Sequence, residues 1–122
     1  SLQTNSVKNL GRDRWVGKAQ VDASDRRVVT FPNKTKLNTT CLLRNEFDLL
    51  AVNCFAFGEQ WRFAFALNSE LPKNTFSKYT AYQRKHLLPS LVTVEWELQP
   101  PFTDNPFALL DKLIQQKSSR PR

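Results

Sequence analysis

Large apolar residues recur at every second position over 61–67, where Trp61, Phe63, Phe65 and Leu67 alternate with Arg62, Ala64 and Ala66. A period of two is the mark of a strand with one buried face, and it predicts that the four large residues point into the core. The preceding stretch, 46–57, reads EFDLLAVNCFAF. Its centre at 49–52 is apolar without alternation, as in a strand covered on both faces, so it is expected at the middle of the sheet. Gly58-Glu59-Gln60 supplies the turn between the two.

Upstream, 14–23 is strand-like, Asp25-Arg26-Arg27 turns the chain, and 28–31 is β-branched enough to return as its hairpin partner. Pro32-Asn33-Lys34 closes that unit, and 39–43 (TTCLL) reads as a further short strand. Two helices are expected. Thr80 caps one over 81–88, stopped by Pro89, with Tyr82 and His86 on one face. After the break at Pro100-Pro101, Asp104 or Asn105 caps the second, with Pro106 in its first turn and an apolar stripe of Phe107, Leu110, Leu113 and Ile114. Residues 91–96 alternate as an edge or late strand. The elements imply an α+β fold, a central mixed or antiparallel sheet of about five to six strands with two or three helices. Polar stretches at 1–13 and 117–122 are expected to be flexible.

A chain of 122 residues fits one domain, 1–122, able to bury roughly two-thirds of its unfolded surface without staples. It contains no methionine, even at position 1, so either its start is trimmed or it is a piece of a longer chain. Apolar content of 40% and charged content of 24% are globular values. No apolar run approaches the ~20 residues of a membrane span. Cys41 and Cys54 lie in apolar runs without zinc spacing, and His86 stands alone. Two buried thiols in a reducing compartment are expected, a single bridge between neighbouring strands being the alternative. Asn33-Lys34-Thr35 and Asn38-Thr39-Thr40 match a glycosylation triplet that is short enough to arise by chance, and the protein is read as cytoplasmic.

Charge changes the picture most. Lys and Arg total 18 against 11 Asp and Glu, a net +7 with a pI near 9.8. Such an excess draws polyanions and speeds association with them. Basic residues interleaved with aromatics name the candidate contacts: Arg12, Arg14, Lys34, Lys36, Lys73, Lys78, Arg84 and Lys85, with 73–86 as the leading stretch for backbone phosphates. DNA is the leading partner. RNA is the alternative, with Trp15, Tyr79 and Tyr82 as stacking residues.

Two polar constellations bear on chemistry. Lys18, Gln20 and Asp22 line one face of an otherwise strand-like run, where they could reach a phosphate or a metal, or simply face solvent. Glu46 and Asp48 stand at the mouth of the apolar strand, and carboxylates so placed beside basic groups suit Mg2+-assisted phosphodiester hydrolysis; a capping or salt-bridged acid, with Arg44 as partner, is the structural alternative.

The order of a polar strand, a hairpin, then Leu43-Arg44-Asn45-Glu46-Phe47-Asp48-Leu49-Leu50-Ala51-Val52 and Trp61-Arg62-Phe63-Ala64-Phe65 resembles restriction-endonuclease-like proteins of the PD-(D/E)XK superfamily, over about residues 15–72. The resemblance implies a DNA-binding endonuclease using Mg2+, with Asp48 as metal ligand and Gln20, Lys18 and Glu46 around it. On this reading the metal strand falls on Lys18-Ala19-Gln20. Gln20 occupies the slot that holds Lys or, in some relatives, Gln, and Lys18 falls where the family carries an acid. A second threading makes Asp48 the first acid and puts Gln60-Trp61-Arg62 in the acid-x-Lys slot. If the chain is a piece, the missing acid lies before Ser1; if it is whole, the fold keeps DNA binding with little or no cleavage. The rival from another class is a non-catalytic interaction module, including a homodimer, in which the helix over 106–116 packs on a partner subunit.

Overall fold

The computed structural model describes residues 1–118. Strands β1 (Lys8–Gly11), β2 (Arg14–Gln20), β3 (Arg27–Thr30), β4 (Lys36–Thr39), β5 (Leu49–Asn53) and β6 (Phe63–Leu67) are followed by α1 (Ala81–His86), β7 (Leu91–Trp96) and α2 (Pro106–Ser118). The fold is α+β, but the central sheet of five to six strands does not form. The strands pair instead as β1-β2-β7, β3-β4 and β5-β6, all antiparallel.

Strand β2 takes β7 as its partner, with Gly17 opposite Val94 and Ala19 opposite Val92, rather than the expected β3. Its inward face is small because Phe57 packs against it: a side chain added at Gly17 would stand 3.1 Å from the Phe57 ring. Strand β3 pairs with β4, a segment passed over in the sequence because KLNT carries a single large apolar residue. The TTCLL stretch contributes only Thr39 to a strand, plus a bridge from Leu43 to Leu87. Residues 1–13 do not form a loose arm: Leu2 is buried and bridges Ala19, and β1 pairs with β2.

The β5-β6 hairpin corrects two expectations at once. Strand β5 is not covered on both faces, since Ala51 is exposed and only Val52 is fully buried. In β6 the alanines point inward and the aromatics outward. Ala64 and Ala66 are buried, whereas Trp61 is 75% exposed and Phe63 42% exposed; of the four large residues expected in the core, Leu67 is fully buried and Phe65 half-buried. Alternation specifies two faces without saying which one meets the core, and here Ala64 and Ala66 join Phe57 and Val94 in one buried cluster. The backbone of Phe65 pairs with Thr103 through two hydrogen bonds of 2.8 and 2.9 Å.

Both helices start where their caps place them. The Thr80 hydroxyl accepts from Gln83 N at 3.1 Å and the Gln83 side chain accepts from Thr80 N at 2.9 Å, a reciprocal capping box. The helix ends at His86, because Leu87 and Leu88 extend before Pro89 to enter two different cores. At α2, Asn105 is the cap, accepting from Phe107 N and Ala108 N at 3.1 and 3.3 Å. Most of the stripe foreseen on α2 does not pack. Phe107, Leu110 and Ile114 are exposed and Leu113 is half-buried, while Leu109, outside the stripe, is the buried residue of the helix. The tail expected to fray includes Lys117 and Ser118, which belong to α2, and otherwise lies outside the described residues.

Two hydrophobic clusters result. The larger joins Ala19, Val52, Val92 and Val94 of the β1-β2-β7 and β5-β6 sheets with Leu2, Val21, Phe57 and Phe102 from the segments beside them. The smaller is built from Val29, Phe31, Cys41 and Leu87, with Leu37, Leu43, Tyr79 and Tyr82 around it, and fastens the β3-β4 hairpin to α1. Backbone bonds from Arg44 N to His86 O and from Leu88 N to Leu42 O, both 2.9 Å, stitch one to the other. Cys41 and Cys54 are both buried free thiols. Burial pushes the Cys54 thiol up to about 11.

Candidate nucleic-acid interface

Folding sorts the charge. Segments 26–46 and 73–90, which together build the smaller cluster and its surroundings, hold nine of the 18 Lys and Arg residues and one of the 11 acids, Glu46. The rest of the chain holds nine basic residues against ten acids and is nearly neutral. The excess positive charge therefore belongs to one region.

The β3-β4 turn positions Lys34 and Lys36. Phe31 and Thr35 close it through a 2.9 Å backbone bond, Lys34 adopts φ +73°, and Asn33 donates its N–H to the Tyr82 hydroxyl at 3.0 Å. That last contact fixes the basic turn against α1. Lys73, Lys78 and Lys85 are exposed beside it along the connection and helix. Arg84 is committed to holding the chain, since its guanidinium donates to the Tyr79 carbonyl at 2.6 Å and the Phe76 carbonyl at 3.4 Å. Arg12 and Arg14 stand apart from this group, in the β1-β2 hairpin, and Arg14 lines a cleft together with Glu95 and Glu97.

The expected stacking residues are largely occupied. Trp15 stacks on Phe57 with ring centres 6.2 Å apart and donates its indole N–H to Asp13 at 3.1 Å. Tyr82 packs on Phe31 and, as foreseen, shares a face with His86, at 4.6 Å. Tyr79 meets Phe76 edge-on at 4.8 Å and shares a hydrogen bond of 2.8 Å with the buried Thr39 hydroxyl. Phe76 itself is 47% exposed. It sits between Lys73 and Lys78, within the stretch 73–86 named for phosphate contacts but not itself picked out, and an aromatic between two lysines was the available signal.

The residues named for catalysis are engaged separately. Lys18 and Gln20 point to solvent from β2, and Gln20 donates to Asp22 at 2.7 Å, the solvent-facing alternative for that stripe. Glu46 pairs with Arg27 and accepts from Leu43 N. Asp48 pairs with Lys117 at 2.9 Å, not with Arg44, which donates instead to the carbonyls of Asn68, Leu71 and Pro72. Gln20 and Asp48 line different clefts. Among the described residues no three His, Cys, Asp or Glu side chains gather to hold a metal ion. Mg2+ takes one or two carboxylates with its remaining ligands from water and substrate phosphates, and here Glu46 and Asp48 are each paired with a cation while Gln20 lines another cleft.

Arg62, the basic residue of the second threading, is a structural clamp. It donates to both oxygens of Asp13 at 2.8 and 2.9 Å and to the Phe57 carbonyl at 2.7 Å, and lies over the Trp96 ring at 4.8 Å. The Arg62 hydrogen bond holds the Asp13 carboxyl below its ordinary value and raises the guanidinium in turn. Gly58 makes the clamp fit, with φ +73° and its α-carbon so close to the Trp15 ring and Arg62 that a side chain would stand 3.2 and 3.3 Å from them.

Among the described residues no helix is long and apolar enough to cross a membrane. No protein-family model, curated protein or solved structure matches the chain.

Proposed function

We propose that this protein binds DNA through the basic surface around its smaller cluster, with Lys34 and Lys36 on the β3-β4 turn and Lys73, Lys78 and Lys85 beside α1 as phosphate contacts. The observation that carries this reading is the concentration of nine cations and one acid in the two segments that fold together there. Charge spread evenly over a surface supports solubility. Charge collected on one side of a nearly neutral body raises local potential, and phosphate neutralisation with counterion release turns that potential into affinity. DNA is favoured over RNA by the resemblance of the 15–72 stretch to restriction-endonuclease-like proteins. Cleavage is the further step that resemblance implies, but the single carboxylate of Asp48, paired with Lys117, gives binding the stronger support.

A fluorescence-anisotropy titration of a short DNA duplex at 50 to 300 mM salt tests the reading. Affinity is expected to fall steeply, with a log–log slope of about −0.9 per phosphate neutralised. Salt-independent binding, or none at low salt, would overturn it. Incubating plasmid DNA with Mg2+ separates hydrolysis from binding: retention without cleavage is expected, while cleavage abolished by Asp48→Ala would add a nuclease activity.

One observation favours a second reading. The exposed Phe107, Leu110 and Ile114 of α2 form an apolar face suited to a partner subunit. An oligomer that survives high salt and disperses when these three become polar would support it.

A further inference from the structure

A cleft of about 380 Å3 opens in the basic region, lined by Thr40, Cys41, Asn74, Phe76, Tyr79 and Ser90 among others. Its volume falls at the lower end of the range for small-ligand sites, about 300–1,000 Å3. Its chemistry is the more telling property. No charged side chain lines it, although Lys73 and Lys78 flank the stretch that does. An uncharged guest therefore suits the cleft, and an anionic group suits its rim.

The wall is built before anything binds. Asn74, 5% exposed, donates to the Leu88 carbonyl at 3.0 Å and to the Cys41 sulfur at 3.4 Å, and accepts from Phe76 N at 2.9 Å. Arg84 holds the Phe76 and Tyr79 carbonyls from the helix side. The Phe76 ring is thus braced by Tyr79, half exposed and held without further ordering cost. The hydroxyls of Thr40, Thr75 and Ser90 supply neutral donors and acceptors for the edge of a flat ring.

We propose that this cleft receives one unpaired nucleobase of the bound nucleic acid, stacked on Phe76, while Lys73 and Lys78 hold the adjoining phosphates. A flat, neutral ring with a polar edge, tethered to an anionic backbone, matches both the uncharged lining and the charged surround, and a base inside a duplex cannot present it. The inference rests on the DNA-binding reading above.

The test compares two duplexes of equal length and charge, one fully paired and one carrying a single bulged 2-aminopurine, in binding to the wild-type protein, Phe76→Ala and Phe76→Trp. The wild type is expected to prefer the bulged duplex by about tenfold and to quench the 2-aminopurine emission. Phe76→Ala should lose both the preference and the quench while binding the paired duplex within about twofold of wild type. Phe76→Trp should keep both. Equal affinity of the wild type for the two duplexes, with steep salt dependence intact, would overturn the cleft's role and leave DNA binding standing. Salt-sensitive binding to neither duplex would overturn DNA binding and the cleft inference together.

Discussion

The two hydrophobic clusters differ in what they hold. The larger joins two sheets, shares Phe57, Val94 and Leu2 among them, and is surrounded by nearly balanced charge. The smaller has four buried residues, one β-hairpin and one short helix, and carries the protein's excess of cations. Crowding like charges costs stability, and a small core has little to offset that cost. The difference teaches a division of labour: stability resides mainly in the larger cluster, and the smaller is a mounted platform, fastened by Leu43, Leu87 and Leu88, whose surface is free to be basic.

The comparison breaks most readily at its cores. Phe57→Ala removes a fully buried ring that packs against Gly17 and Trp15, and should cost about 3–5 kcal/mol, measured by urea unfolding. Phe31→Ala removes the equivalent ring of the smaller cluster at a cost of about 3 kcal/mol, but the loss should be local. Hydrogen exchange would show β3, β4 and α1 amides deprotected while those of β2 and β7 keep their protection. Uniform deprotection would mean that the two clusters open as one unit.

Charge gives smaller effects. Lys34→Gln with Lys36→Gln should lower the magnitude of the salt slope for DNA by about 2, whereas Lys8→Gln with Lys18→Gln, on the balanced side, should leave it unchanged within error. Equal effects of the two pairs would remove the distinction between regions. The smallest effect is a pH dependence belonging to the larger cluster. Asp13 is held below its ordinary value by Arg62, so its stabilising contribution is present above that ordinary value and is lost as pH falls through the lowered one. The melting temperature of the wild type should therefore drop more steeply on acidification below pH 4 than that of Asp13→Asn. Parallel curves would show that the Asp13–Arg62 pair contributes nothing measurable.

Much of the local structure was legible because it depends on neighbours in the chain. Thr80 and Gln83 cap α1 from three residues apart, Asn105 and Pro106 start α2, the alternation over 91–96 marks β7, and that over 61–67 marks β6 two residues early. The errors came where the decisive partner is distant. Which face of β6 turns inward depends on packing with residues such as Ala19, Val92 and Val94 in the same cluster, and the pairing of β2 with β7 closes a loop of some seventy residues that no short pattern announces. The candidate site divides in the same way. Lysines 34, 36, 73, 78 and 85 were named from residue type alone and are exposed, but Phe76 was not picked out between its two lysines, and its cleft depends on Thr40 and Ser90 arriving from elsewhere.

By itself the sequence determined the fold class, the caps, the turns and the sign of the charge, all of which are set by residue type and short-range spacing. Only the tertiary structure decided that segments 26–46 and 73–90 share one cluster, that Arg84 bonds the backbone and Arg62 the Asp13 carboxylate, and that Gln20 and Asp48 face different clefts. The physical reason is that a side chain's availability depends on what it touches once distant segments are packed together, and a contact of that kind has no period and no neighbour in the chain to betray it.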